Sequence, residues 1–391
     1  MTGSGAAGTR YTPRSAWEKP PMKIVCDRAA LVDALALTRG VVATRSPSPV
    51  LTCLKLTAGD EGLSISATDG EAGLTLALGS VEVREAGETL VPADRLEPVI
   101  RSLDDDTVSL ETEKSMLHVR GEHSHFKIFG YEAREFPGVA ATPEDADAFT
   151  MSASALRGMI GRTLFATAVE NSRYAISGVL LERRGKKLRM VATDGRRLAL
   201  TRGDCSGDGG DLDAIVPGKT LGVLAKLLVD PDATVRVVRQ GGRIWFVVGE
   251  GQDAACLSSS LVEGVFPPFE DVIPKDQDKK VSFDIAEFAG AVRRAALLTN
   301  EESRGVRMTF SPGRLTLSSR APEAGEAEIE LDIESYEGEP LEIGFNPAQL
   351  TDALKVLDGS EVVFELKSPN KPGVLRSGND FTYVVMPMTV S

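Results

Sequence analysis

At 391 residues the chain exceeds the usual size of one domain, so two or three domains are expected, with a core large enough to need no staples. Its residues are 42% hydrophobic but only 5% aromatic, and no apolar run approaches the roughly 20 residues of a membrane helix, so the reading is a soluble protein with no membrane partner. The formal net charge of −13 excludes a nucleic-acid binder basic over its whole surface. It leaves room for a local basic surface, because salt limits exposed charges to a reach of about 10 Å at about 0.1 M.

Taken in chain order, residues 1–21 contain Gly, Pro, Ser and Thr without an apolar h-region. They read as a disordered tail rather than a secretory signal, with Met22 as a second candidate start. Leu31 and Leu35 then mark a first helix face. "SISATDGEAGLTLAL" from Ser64 recurs as "RMVATDGRRLALTR" from Arg189, and "LTLSSRAPEAGEAEIEL" from Leu315 takes the same place a third time. A second marker follows each: "TLVPADRLEPVIRSLDDDTVSL" from Thr89, "AIVPGKTLGVLAKLLVDPDATVRV" from Ala214 and "EIGFNPAQLTDALKVLDGSEVVF" from Glu342. Each second marker reads as strand, helix, acidic turn, strand.

Helical spacing recurs at Leu156, Ile160 and Leu164 and at Phe288, Val292 and Ala295, while "VRVVR" and "RIWFVV" alternate as strands. The fold class is therefore α+β, three copies of one domain, bounded near Thr142–Ala148 and Pro274–Lys280. The expected domains are 22–148, 149–275 and 276–391. Cations fall on the helices (Arg28, Arg39, Arg95, Arg101, Arg157, Arg162, Lys219, Lys226, Arg293, Arg294, Lys355) and acids in turns and strand ends, which predicts a basic helix layer. Cys26, Cys53, Cys205 and Cys256 are scattered without a CxxC pair, which fits a reducing cytoplasm and gives no zinc site.

The three repeats, "ATDGRRLA", "FPPFEDVIP", "NEESRGVR" and the terminal "YVVMPM" resemble the beta subunit family of bacterial DNA polymerase III, over Met22 to Met388. The resemblance implies sliding-clamp domains, each with two helices against antiparallel sheets, joined head to tail as a homodimeric ring around duplex DNA. It implies a non-catalytic processivity factor without cofactors. Its partners would be the replicative polymerase, the clamp loader and other proteins carrying clamp-binding peptides. Contacts to DNA should be to phosphates, which hold without reading sequence.

By the same resemblance a peptide groove is formed by Ile176, Thr193, Gly195, Arg196, Arg197, Leu198, Pro267, Val272, Asn346, Gln349, Val384, Met386, Pro387 and Met388. Arg196 stands where many relatives have His, Gln349 where an aromatic is frequent, and Thr389 where a basic residue is frequent. Tyr383 to Val385 should finish the last strand and Met386 to Met388 bend out as a groove wall. DNA contacts are implied at Arg45, Arg173 and Tyr174, with Ala175 replacing a second aromatic, and at the helix cations Arg157, Arg162, Arg293 and Arg294. The dimer joint would place Phe126, His123 and His125 of one copy against Leu297 and Leu298 of the other, with Glu323, Glu326, Glu328 and Glu330 facing basic residues. Imidazoles opposite those acids would strengthen closure as pH falls. Strand positions also permit exposed histidines with no role, or a metal site lacking a local carboxylate or Cys to complete it.

Two other readings are weighed. A phosphate-handling enzyme is opposed by the broken loop before Gly218-Lys219-Thr220, where Asp213 replaces the needed Gly, and by Asp69-Gly70 and Asp194-Gly195 reading as ordinary turns. A duplicate clamp with a remodelled groove, insensitive to a groove-binding inhibitor, is raised by Arg196 and Gln349.

Overall fold

A computed structural model describes residues 21–144, 146–168, 175–250, 254–299, 305–334, 336 and 338–390. Residues 1–20 of the expected tail, and the loop with Arg173 and Tyr174, lie outside the described residues. Three times the chain runs strand, helix, a block of strands, helix, three strands. The first copy contains β1 (Lys23–Asp27), α1 (Arg28–Thr38), β2 (Cys53–Gly59), β3 (Gly62–Thr68), β4 (Ala72–Leu78), β5 (Val81–Glu85), β6 (Gly87–Pro92), α2 (Ala93–Ser102), β7 (Thr107–Glu113), β8 (Met116–Arg120) and β9 (His125–Phe129). The second contains β10 (Ala148–Ser152), α3 (Ala153–Leu164), β11 (Gly178–Arg184), β12 (Lys187–Thr193), β13 (Arg197–Asp204), β14 (Leu212–Pro217), α4 (Gly218–Leu227), β15 (Thr234–Gln240), β16 (Arg243–Val248) and β17 (Ala255–Ser260). The third contains β18 (Lys279–Asp284), α5 (Ile285–Ala296), β19 (Val306–Ser311), β20 (Gly313–Ala321), β21 (Gly325–Ile333), β22 (Leu341–Phe345), α6 (Pro347–Leu354), β23 (Glu361–Leu366), β24 (Gly373–Ser377) and β25 (Phe381–Val385).

Each helix starts where a strand ends, and the local chemistry explains the switch. The first helix of every copy begins on a capping side chain: Asp27 accepts from Ala30 N, Ser152 from Ala155 N and Asp284 from Glu287 N. The second begins at a proline, Pro92, Pro217 or Pro347, whose missing N–H costs nothing at a helix start. Leu31 and Leu35, Leu156 and Ile160, and Phe288, Val292 and Ala295 are all buried as their spacing requires, with Leu164 half-buried. The helices pack in pairs within each copy, α1 on α2, α3 on α4 and α5 on α6.

The chain forms two compact units, residues 21–70 with 75–138, and residues 71–74 with 139–390. In the first, β5-β1-β7-β8-β9 form one sheet and β4-β3-β2-β6 lie in another. The second unit holds β10-β15-β16-β17, a four-stranded sheet β21-β20-β19-β22, and an eight-stranded sheet β14-β11-β12-β13-β25-β24-β23-β18. In that last sheet β13 of the second copy pairs antiparallel with β25 of the third, from Arg197 opposite Val385 to Thr201 opposite Phe381. The two copies therefore share one sheet.

Side chains weld this joint. Arg197 donates to Asp194 Oδ2 at 3.0 Å, to Asp352 Oδ2 at 2.9 Å and to the Phe165 carbonyl at 2.7 Å, and its guanidinium lies over the Phe165 ring. Tyr383, fully buried, donates its hydroxyl to the Gln349 carbonyl at 2.9 Å. Burial pushes the Tyr383 phenol up, so it stays a donor throughout the working pH range. Tyr383→Phe leaves the Gln349 carbonyl without this donor and should cost about 0.5–1.5 kcal/mol. A lowered urea midpoint with an unchanged m-value checks it.

Candidate functional site

The groove expected from the sequence is centred on the β12–β13 turn. Gly195 takes a φ of +86°, Asp194 Oδ1 accepts from Arg196 N at 2.9 Å and from Arg197 N at 3.0 Å, and Thr193 donates its hydroxyl to the Arg197 carbonyl at 2.7 Å. Thr68-Asp69-Gly70 repeats part of this turn, with Gly70 at φ +97° and its N–H donating to Thr68 Oγ1. The turn holds the exposed Arg196 outward, and among the described residues its guanidinium has no partner, whereas Arg197 is consumed by the joint.

Beneath the turn lies an apolar cluster. Ile176, Leu198 and Val384 are in it, together with Val191, Leu200, Val374, Phe266 and Phe269. Leu198 is 3% exposed and Val384 1%, so these two expected groove residues are packed beneath the turn and not open surface. Pro267 and Gln349 are half-buried, and Asn346 is the α6 cap, accepting from Ala348 N. The exposed apolar rim is Met386 at 41%, Val272 at 48% and Val265 at 80%. Phe266 and Phe269, packed edge to face, were missed in the sequence, although aromatics three apart around two prolines were the available signal. Arg189 holds that loop, bonding Glu270 at 2.8 Å and covering the Phe269 ring.

After Val385 the chain leaves the sheet of β25. Met386 N still donates to the Arg196 carbonyl at 3.0 Å, continuing the β13 pairing, and Met388 N donates to Gly344 O at 2.9 Å. Arg307 donates to the Val390 carbonyl at 3.1 Å. Residues 386–390 thus lie as a strap along β22, because Gly344 leaves room for Val390.

The other expected residues divide into free and occupied. Arg45, Arg293 and Arg294 are exposed, and none of their side chains has a hydrogen bond or ion pair among the described residues. Arg157 is exposed and reaches the Leu228 carbonyl at 3.4 Å. Arg162 bonds Asp380 at 2.7 Å and faces Asp358 at 3.6 Å, so its charge is matched within the chain. Arg39 and Arg101 both close on the buried Glu97, so the basic helix layer is only partly free charge.

β9 and β21 are end strands of their sheets. On or beside them Phe126 and Leu298 are half-buried, while Leu297 is 78% exposed and Phe129, not singled out from sequence, 77%. Glu323 and Glu328 are exposed, but Glu326 pairs with Arg320 and Glu330 with Arg314 in the same hairpin. His123 and His125 are exposed, whereas His118 is buried. Burial pushes the Cys26 thiol up to about 12 and Cys53 to about 11, leaving both protonated and unreactive.

A threefold α+β repeat of six helices against antiparallel sheets, with an apolar cluster where two copies share a sheet, defines a DNA-clamp architecture. Family models of the DNA polymerase III beta subunit match in order: N-terminal domain over residues 22–140, central domain over 150–268, C-terminal domain over 270–389. The beta sliding clamp of Pseudomonas aeruginosa is 37% identical over 371 residues, 94% of this chain and 100% of that one, and that of Escherichia coli 32% over 370 residues at the same coverage. The Bacillus subtilis clamp structure superposes at a TM-score of 0.88 with 26% identity, over 95% of this chain and 100% of that one. A Pseudomonas aeruginosa clamp bound to griselimycin gives 0.86 with 36% identity at the same coverage. The chain belongs to the DNA polymerase III beta subunit family, the beta sliding clamps. It is a DNA sliding clamp of DNA polymerase III and not an enzyme.

One prediction tests the strap. A Cβ at Gly344 would meet Val390 Cγ2 at 2.3 Å and Met388 O at 2.5 Å. Gly344→Ala should therefore free the chain end and speed carboxypeptidase trimming, and adding Val390→Ala should restore part of the resistance.

Proposed function

We propose that two copies close head to tail into a ring that encircles duplex DNA without reading its sequence and tethers the replicative polymerase, the clamp loader and other proteins carrying clamp-binding peptides. The observation that carries the ring is a pair of open sheet edges. β9 bears exposed His125 and Lys127 beside Phe129, and β21 bears exposed Glu326 and Glu328, with Leu298 near its first residue, Gly325. Long open edges are a hazard unless something covers them, and unlike charge with apolar anchors suits one edge to the other. A heterologous joint of this kind closes only if its rotation does, here after two copies. Domains of 22–148, 149–275 and 276–391 and a cytoplasmic location fit this role.

DNA would be held by Arg45, Arg293 and Arg294, with Arg157 and the undescribed Arg173 and Tyr174 as further contacts. Retention comes from topology. Clamp loaded on circular DNA should stay bound through a rise in salt and leave the same DNA once it is linearised; equal retention on both forms would sink the ring.

Client peptides would dock on the rim of Met386, Val272 and Arg196 above the packed cluster, an apolar patch with few polar groups. Met386→Asp changes an exposed residue, so the fold survives. It should weaken a fluorescent clamp-binding peptide by about tenfold or more, equal to about 1.4 kcal/mol, with the dimer intact.

A second reading keeps the ring but makes the chain a duplicate clamp insensitive to a groove-binding inhibitor. It is favoured by the Arg196 guanidinium, which has no partner among the described residues, and by the half-buried Gln349. Griselimycin binding equal to that of the Pseudomonas aeruginosa clamp would exclude it.

A further inference from the structure

Two of the three histidines form one unit. His118, 5% exposed on β8, and His125 on β9 bring Nδ1 and Nε2 to 2.9 Å, with ring planes 19° from parallel and centroids 5.2 Å apart. At that contact the rings lie edge to edge and share one proton along an N–H···N line. A metal ion would have to force the two nitrogens apart, since each Zn–N bond alone needs about 2.0–2.1 Å. On its far side His118 Nε2 lies 3.3 Å from Glu113 Oε2 without a hydrogen bond.

The charged surroundings come from every neighbouring element. Glu111 on β7 and Lys127 on β9 stand in register with His118, and Arg120 on β8 stands opposite His125. Glu111 is itself approached by Lys23 of β1 at 3.8 Å and Arg120 at 4.0 Å. Glu122 and His123 sit in the β8–β9 turn, 3.9 Å apart. α2 and β6 also approach β9, but their acids are matched: Glu97 by Arg39 and Arg101, Asp94 by Arg95, and Glu88 by Lys55.

We propose that His118 and His125 form a one-proton latch that holds β9 on β8 near neutral pH and releases it in acid. With the bond intact, one of the two facing nitrogens must offer a lone pair, so the pair accepts at most one added proton. A second puts N–H against N–H and parts the strands. Once open, neither ring has to keep a lone pair for the other, so the open pair can take two added protons where the closed pair takes one. The open form therefore binds more protons, so the latch weakens as pH falls. The His125 ring agrees in direction: burial first, then Arg120, His118 and Lys127, lower its pKa. Because β9 is the edge proposed for the ring joint, closure weakens in acid, opposite to the strengthening expected from sequence. This last step rests on that placement of the joint.

Histidine-selective NMR, amide exchange and dimer dissociation, all on the full chain, test it together. From about pH 7.5 to about pH 5.5, β9 exchange corrected for intrinsic rate and the dimer dissociation constant should each rise about tenfold. His125→Gln, which keeps a neutral donor, should flatten both responses, while His123→Gln keeps them. Full protonation of both rings with β9 still protected overturns the latch. Release of β9 with an unchanged dissociation constant overturns the link to closure and moves the joint off this edge.

Discussion

The pairing of β13 with β25 is the constraint on which the second compact unit depends. A strand edge presents unpaired N–H and C=O groups that must be satisfied, and here each copy supplies the other's missing neighbour. Five facing residue pairs, from Arg197 and Val385 to Thr201 and Phe381, would still slide or shear without side chains to set them. Arg197 does this by joining its own turn, the α6 Asp352 and the Phe165 carbonyl, with Tyr383 and Phe165 packed beside it. The apolar cluster under the candidate groove draws Leu198 from one copy and Val384 from the other, so it exists only because the sheet is continuous.

The same economy of partners governs charge. A net charge of −13 is compatible with holding DNA because what acts on a phosphate is the local unpaired cation. Among the described residues the side chains of Arg293 and Arg294 at the end of α5 have no partner, whereas Arg162 is matched by Asp380. Two helix arginines with the same sequence spacing from their caps therefore differ in available charge, according to whether a carboxylate distant in sequence reaches them. In the acidic hairpin β20–β21, Arg314 and Arg320 similarly remove two of the glutamates from the free count, leaving Glu328 as the exposed acid between them.

Much of the fold was legible. Leu31 and Leu35 or Phe288 and Val292 announce a buried helical stripe by spacing alone, and Asp27, Ser152 and Asp284 stop a strand and start a helix with their own side chains. The threefold repeat showed at once, since duplicated units keep their turns, as the two Thr-Asp-Gly corners do. The site was less legible. Leu198 and Val384 were expected in the groove, but their burial could not be read, because an alternating apolar pattern is the same for a pocket floor and a pocket wall. Phe266 and Phe269 went unread for the converse reason: a loop has no periodicity to betray which side it buries. His118 looked like its neighbours His123 and His125, yet only it is sealed into the sheet face.

By itself, then, the sequence determined what local chemistry decides: where helices begin, which stripe each one buries, where turns need glycine, and that one unit is used three times. Family membership followed from the order of such markers along the chain. Tertiary structure alone decided which of several similar residues stays free. Among the described residues Arg196 keeps an unpartnered charge while adjacent Arg197 is spent on a joint, and Met388 is drawn onto β22 while Met386 stays exposed. The physical reason is distance. Asp352, Asp380 and Gly344 lie 155, 218 and 44 positions from Arg197, Arg162 and Met388, and no local propensity reports a partner brought near only by folding.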